Sequence, residues 1–121
     1  MIPRIYRRQI RGRLKRFPAV ALKGPRQCGK TTRAQQLGGV YFDMETAGSE
    51  ARLDAEWETL VAGRQLIIID EAQNAPWVFS RLRGTIDADR KRNGRFLLLG
   101  SVSPGLMENV SQSLAGRLGL V

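Results

Sequence analysis

The stretch Gly24-Pro25-Arg26-Gln27-Cys28-Gly29-Lys30-Thr31 fits G-x-x-x-x-G-K-[ST] at every fixed position, and its reading decides the fold. Gly24 and Gly29 let the backbone curl so that successive N–H groups converge on phosphate oxygens. A helix beginning directly afterwards turns its N-terminal donors and positive dipole end toward the same anion. Lys30 is spaced to reach the β- and γ-phosphates of a nucleotide, and the Thr31 hydroxyl to complete a Mg2+ shell. A chance match in a chain of this length arises about once in a few hundred sequences. The bland alternative is a glycine-rich turn with an incidental lysine. Context argues against it: residues 19–22 read as a strand and residues 30–37 as a helix closed by Gly38-Gly39. Cys28 reads as a small loop filler, although a thiol among amides and Lys30 is open to alkylation.

Working outward, the next informative stretch is the unbroken apolar run 66–69, which ends in Asp70-Glu71 about forty residues downstream. Such a run suits a strand buried on both faces of a parallel sheet. Asp70, at its carboxyl end, is placed to hold Mg2+ through water, and Glu71 to orient or deprotonate an attacking water. Acids often close strands, so the pair gains weight only from following a phosphate loop. A later strand ends Leu99-Gly100-Ser101, with Ser103 nearby; a polar side chain there either senses a γ-phosphate or simply makes a turn. Asp43, closing another strand, reads as a turn residue. Trp57 and Trp77 fall on apolar helical faces and read as core rather than as base-stacking platforms.

The full pattern is strand and helix in alternation. Strands are expected at 19–22, 40–43, 66–70 and 95–100, with a fifth starting at 118–121. Helices are expected near 49–61, 76–88 and 104–114, with Asn74 as the N-cap of the second and Pro76 in its first turn. This alternation is that of an α/β layered domain. Ahead of it, Ile2, Ile5, Tyr6, Ile10, Leu14 and Phe17 share half a helical wheel, and Arg4, Arg7, Arg8, Arg11 and Lys15 the other half. Residues 1–18 are thus expected as a basic amphipathic helix docked on a core of residues 19–121, with Pro18 marking the break.

The chain has 121 residues, no His and one Cys. That inventory excludes a Ser-His-Asp triad, His-containing zinc sites and an internal disulfide. The net charge of +9 is uneven: residues 1–42 hold eleven Lys or Arg and no acid, whereas residues 43–58 hold six acids and one Arg. A basic block of this kind attracts nucleic acid, anionic lipid or nucleotide phosphates, or is merely a solvated helix face. No run approaches the roughly 20 apolar residues of a membrane span. The Arg-rich start resembles an organellar transit peptide, but it also has a structural task, so the cytoplasm is the expected compartment.

Taken together, residues 24–32 (Gly-Pro-Arg-Gln-Cys-Gly-Lys-Thr-Thr), Asp70-Glu71-Ala72-Gln73, Leu98-Leu99-Gly100-Ser101 and Ser113-Leu114-Ala115-Gly116-Arg117 resemble the AAA+-like ATPases called the AAA_14 family. In that family the ATPase domain is commonly followed by a DUF4143 domain. The resemblance implies a P-loop NTPase fold with a parallel sheet in the order 5-1-4-3-2. It implies ATP held by residues 24–32, namely Gly24, Pro25, Arg26, Gln27, Cys28, Gly29, Lys30, Thr31 and Thr32. It further implies Mg2+ at Thr31 and Asp70, catalysis by Lys30 and Glu71, and a sensor role for Ser101. Cys28 stands where Val is more usual in the family, and the role of Arg117 stays open. Because the sequence stops at Val121, the core is expected to lack the lid and C-terminal domain, as a truncated member would.

Three functions follow as expectations. The first is an ATP-binding protein, by resemblance a Mg2+-dependent ATPase, with a homo-oligomer among its expected assemblies. The second is a non-catalytic module that binds nucleic acid or a protein through the basic N-terminal helix. The third is a small-molecule kinase, which Glu71 disfavours because it suits water as the phosphoryl acceptor.

Overall fold

A computed structural model describes residues 4–23, 38–100 and 118–120. Its elements are α1 (Arg4–Leu14), β1 (Ala19–Lys23), β2 (Val40–Asp43), α2 (Ser49–Ala62), β3 (Ile67–Asp70), a short 3-10 turn (Ala72–Asn74), α3 (Trp77–Ala88), β4 (Phe96–Gly100) and β5 (Leu118–Leu120). The five strands form one sheet in the order β2-β3-β4-β1-β5, and every neighbouring pair is parallel. This is the order that the resemblance implied. The expected helices at 30–37 and 104–114 lie outside the described residues.

Side chains alternate along each strand, and both faces are covered. Ala19, Ala21, Phe42, Ile67, Ile69, Phe96 and Leu98 face one layer, where they pack with Leu53, Trp57 and Leu60 of α2 and Val78, Phe79, Leu82 and Ile86 of α3. Val20, Ile68, Leu97 and Leu99 face the other, where Ile10 and Leu14 of α1 meet them. The two-residue period explains why β3 reads as an unbroken apolar run: Ile67, Ile68 and Ile69 are all buried. Burying one such side chain is worth about 1.5–3 kcal/mol.

Trp57 and Trp77 join the helical layer to itself. Trp57 stacks on Phe96 at 5.8 Å and 14° between planes, and its Nε1 donates to Thr85 Oγ1 at 3.1 Å. Trp77 meets the edge of Trp57 at 6.3 Å, and its Nε1 donates to Glu50 Oε1. Arg81 lies over the Trp77 ring at 4.5 Å and pairs with Asp54 of α2. Both indoles are therefore committed to the α2–α3 contact.

Two local expectations need correction. Helix α1 ends at Leu14, short of Phe17, because Pro18 disfavours helical backbone in the residue before it. Residues 15–17 instead close a turn, with the Arg16 and Phe17 N–H groups both donating to Arg13 O at 2.9 Å. Asn74 does not cap α3. It ends the 3-10 turn, its N–H donates to Glu71 O at 3.0 Å, and Pro76 occupies the cap position with no side-chain cap bond. The chain enters α3 through backbone bonds alone, so no capping side chain is called for.

At the amino ends of the strands, two arginines tie helix ends to the sheet. Arg95, 6 % exposed, donates to Thr85 O at 3.2 Å and Val61 O at 3.4 Å. Arg92 donates to Val61 O at 3.3 Å and Gly63 O at 2.8 Å. These are carbonyls in the last turns of α3 and α2 and just beyond, where the helix leaves acceptors unmatched and its dipole favours a cation. Burial pushes the Arg95 guanidinium below its ordinary pKa, the Arg92 charge pushes it further the same way, and Asp89 partly offsets both.

Candidate active site at the carboxyl ends of the strands

In a parallel sheet the carboxyl ends of all strands open at one end, and that is where ligands bind in open α/β sheets. The register brings Asp70 level with Leu99 of β4 and with Asp43 of β2, and Lys23 of β1 level with Gly100. At the usual spacing of about 4.8 Å between strands, the ends of β1 and β3 are about 10 Å apart with β4 between them. Residues 24–32 begin directly after Lys23, and Ser101 directly after Gly100. The sheet thus gathers Asp70 and Glu71 with the departure points of the other nominated segments. Gly24, Pro25, Arg26, Gln27, Cys28, Gly29, Lys30, Thr31, Thr32, Ser101 and Arg117 themselves lie outside the described residues.

Asp70 and Glu71 are each 1 % exposed. The Asp70 carboxylate is fixed from two sides: its Oδ1 accepts the Glu71 N–H at 2.9 Å, and its Oδ2 accepts the Tyr41 hydroxyl at 2.5 Å. Its carbonyl accepts the Met44 N–H at 2.9 Å. A carboxylate is an oxygen donor of the kind that hard divalent cations take. Among the described residues no group of three or more His, Cys, Asp and Glu side chains gathers as a ready-made metal cage. The Asp70 carboxylate, an oxygen donor fixed in place, fits Mg2+, which keeps several waters and takes one or two carboxylates plus substrate phosphates.

Glu71 adopts φ 55° and ψ 45°, and among the described residues it is the single non-glycine with positive φ. Left-handed backbone at a glutamate costs on the order of 1 kcal/mol, and such strain persists where the surroundings enforce it. Here the next residues turn away at once into the 3-10 turn, whose Asn74 N–H holds the Glu71 carbonyl.

Tyr41 is the residue that sequence reasoning missed. It pairs in register with Ile68, and Asp70 lies two residues on along β3, on the same face of the sheet. A diagonal neighbour at this offset is within reach of a tyrosine side chain. The signal was present as a polar tip in an otherwise apolar strand, but its meaning depends on register. Asp43 makes the expected turn instead of joining the site: its Oδ1 accepts the Glu45 N–H at 3.0 Å.

A family model described as an AAA domain, AAA_14, matches residues 16–121. The chain is 43 % identical over 117 residues to the "Uncharacterized protein Rv2008c" of Mycobacterium tuberculosis, and equally to the "Uncharacterized protein Mb2031c" of Mycobacterium bovis. Each match covers 93 % of this chain and 26 % of the relative, so the chain spans about a quarter of the length of the curated relatives it matches. No helix among the described residues is long and apolar enough to cross a membrane. The parallel sheet, its strand order, the acid pair closing β3 and the family match agree: the chain belongs to the AAA_14 family of AAA domains, nucleotide-binding domains of the P-loop class.

Proposed function

We propose that this chain binds Mg·ATP at the carboxyl ends of its strands and hydrolyses it, and that it works in the cytoplasm. The observation that carries this reading is the buried Asp70–Glu71 pair at the end of β3, one strand away from β1, whose end leads into the phosphate-loop sequence. By their motif, residues 24–32 would offer backbone N–H groups to the phosphates, Lys30 its charge to the β- and γ-phosphates, and Thr31 its hydroxyl to the metal. Asp70, held by Tyr41 and by the Glu71 N–H, would help to hold the Mg2+ that accompanies the nucleotide. When bound there, Mg2+ would neutralise charge on the phosphate oxygens. Glu71 accepts the proton of the attacking water as its oxygen bonds to the γ-phosphorus and the bond to the bridging oxygen breaks, releasing ADP and phosphate. Ser101, following β4, is suited to contact the γ-phosphate.

The test separates binding from chemistry. Fluorescent ATP should bind with Mg2+ to the wild-type chain and not to Lys30→Ala, whereas Glu71→Gln should bind and fail to hydrolyse. A folded wild-type chain that binds no Mg·ATP would refute this reading and leave the fold untouched.

A further inference from the structure

The sequence places a basic block at the start of the chain and scatters the remaining bases, but the fold joins two of these groups. The turn after α3 packs on the C-terminal end of α1: Asn93 Nδ2 donates to Lys15 O at 3.0 Å, and Gly94 N–H donates to Phe17 O at 3.0 Å. A Cβ on Gly94 would lie 3.2 Å from Leu14 O, so the two segments are in close contact. The turn that carries Arg90 and Lys91 thereby meets the segment that carries Lys15 and Arg16, more than seventy residues away in sequence. Arg8, Arg11, Lys15, Arg16, Arg90 and Lys91 are all exposed. Arg8 and Lys15 are seven residues apart on one side of α1, about 10 Å along its axis. Two acids lie nearby, and one of them, Asp87, is 3.7 Å from Arg90 in an exposed pair that a phosphate can replace.

We propose that this surface, formed by α1 and the 89–93 turn, docks the phosphate backbone of double-stranded nucleic acid without reading its sequence. The chemistry of the surface selects this occupant. A membrane would require the apolar side of α1, yet Ile10 and Leu14 are spent against the sheet. A second copy carries acids on α2, but each copy has net charge +9, and like-charged chains repel. A single strand is held largely by stacking on aromatic side chains. The aromatics on and directly after α1 are Tyr6 and the half-buried Phe17, and the 89–93 turn adds none, too few to stack a run of bases. What the surface offers is Arg and Lys at phosphate-scale spacing, and a duplex backbone matches that.

The experiment is fluorescence anisotropy of a labelled random-sequence duplex with the full chain, without nucleotide, so that its outcome is independent of the ATPase reading. Contact with three or four phosphates predicts a slope of log K against log salt of about −3. Arg8→Gln/Lys15→Gln/Arg16→Gln should weaken binding about tenfold or more near physiological salt and flatten the slope. Arg90→Gln/Lys91→Gln should weaken it severalfold, and Arg83→Gln, on the α3 layer, should leave it unchanged. Circular dichroism verifies the fold of each variant. Unchanged affinity in Arg90→Gln/Lys91→Gln overturns the joint surface, and an equal loss in Arg83→Gln shows that net charge alone acts. Equal or tighter binding to phosphatidylglycerol vesicles, or self-association abolished by the α1 variant in sedimentation, also overturns it.

Discussion

At the amino ends of the strands, Arg95 and Arg92 lie against backbone carbonyls of Val61, Gly63 and Thr85, and each guanidinium finds acceptors left over by a helix end. At the carboxyl ends, Asp70 and Glu71 are buried at least as deeply, yet the backbone between them is bent into a conformation that glutamate disfavours. Both ends bury charge, which is costly, and they offset the cost differently. The arginines satisfy acceptors that the fold itself created and so belong to its framework. The Asp70 carboxylate is instead steadied by the Tyr41 hydroxyl and the Glu71 amide, neither of which is a group left over at a helix end. Burial alone therefore does not distinguish the two ends; what differs is whether the partners of the charge are the fold's own loose ends.

Substitutions at the two ends should break this comparison in opposite ways. The largest effect is expected from Glu71→Gln, which should lower single-turnover ATP hydrolysis by about 10^2 to 10^4 while urea denaturation shows unchanged or higher stability. Next, Arg95→Ala should cost about 2–3 kcal/mol in the same denaturation experiment, because it strands buried carbonyls, and should leave Mg·ATP affinity as it was. A large fall in that affinity would mean that the two ends are coupled. Tyr41→Phe keeps the ring and removes one hydrogen bond, so the Mg2+ concentration for half-maximal nucleotide binding should rise severalfold, about 1 kcal/mol. The smallest effect sharpens the assignment of strain. Glu71→Gly should raise stability by about 1 kcal/mol, since glycine adopts positive φ without steric cost, although hydrolysis is lost.

Much of this contrast could be read from the residues, for reasons that differ by position. The 66–70 run was legible because burial on both faces leaves an uninterrupted apolar signature, and the Asp-Glu pair because it closes that run. Strand order came through the resemblance, since local patterning carries no information on which strands are neighbours. Tyr41 was not legible, because its hydrogen bond to Asp70 exists only once β2 and β3 are in register. Arg92 and Arg95 were equally opaque: a sequence counts them as charge, and only packing shows that they are spent on carbonyls. Asn74 has the right chemistry for an N-cap and was misread because a 3-10 turn already occupies it.

The interior position of β1 has a consequence in time. Its hydrogen-bonded neighbours are β4 and β5, with Ala19 level with Phe96 and Leu118, while the strand that follows it in sequence lies at the far side of the sheet. A ribosome adding 5–20 residues per second needs about 4 to 15 s to go from Ala19 to Phe96. Throughout that interval β1 has neither of its permanent partners, and the surface that α1 is to cover does not yet exist. The nascent chain must therefore carry this future interior strand without its permanent partners, and whatever shelters it meanwhile acts on a molecule quite unlike the finished one.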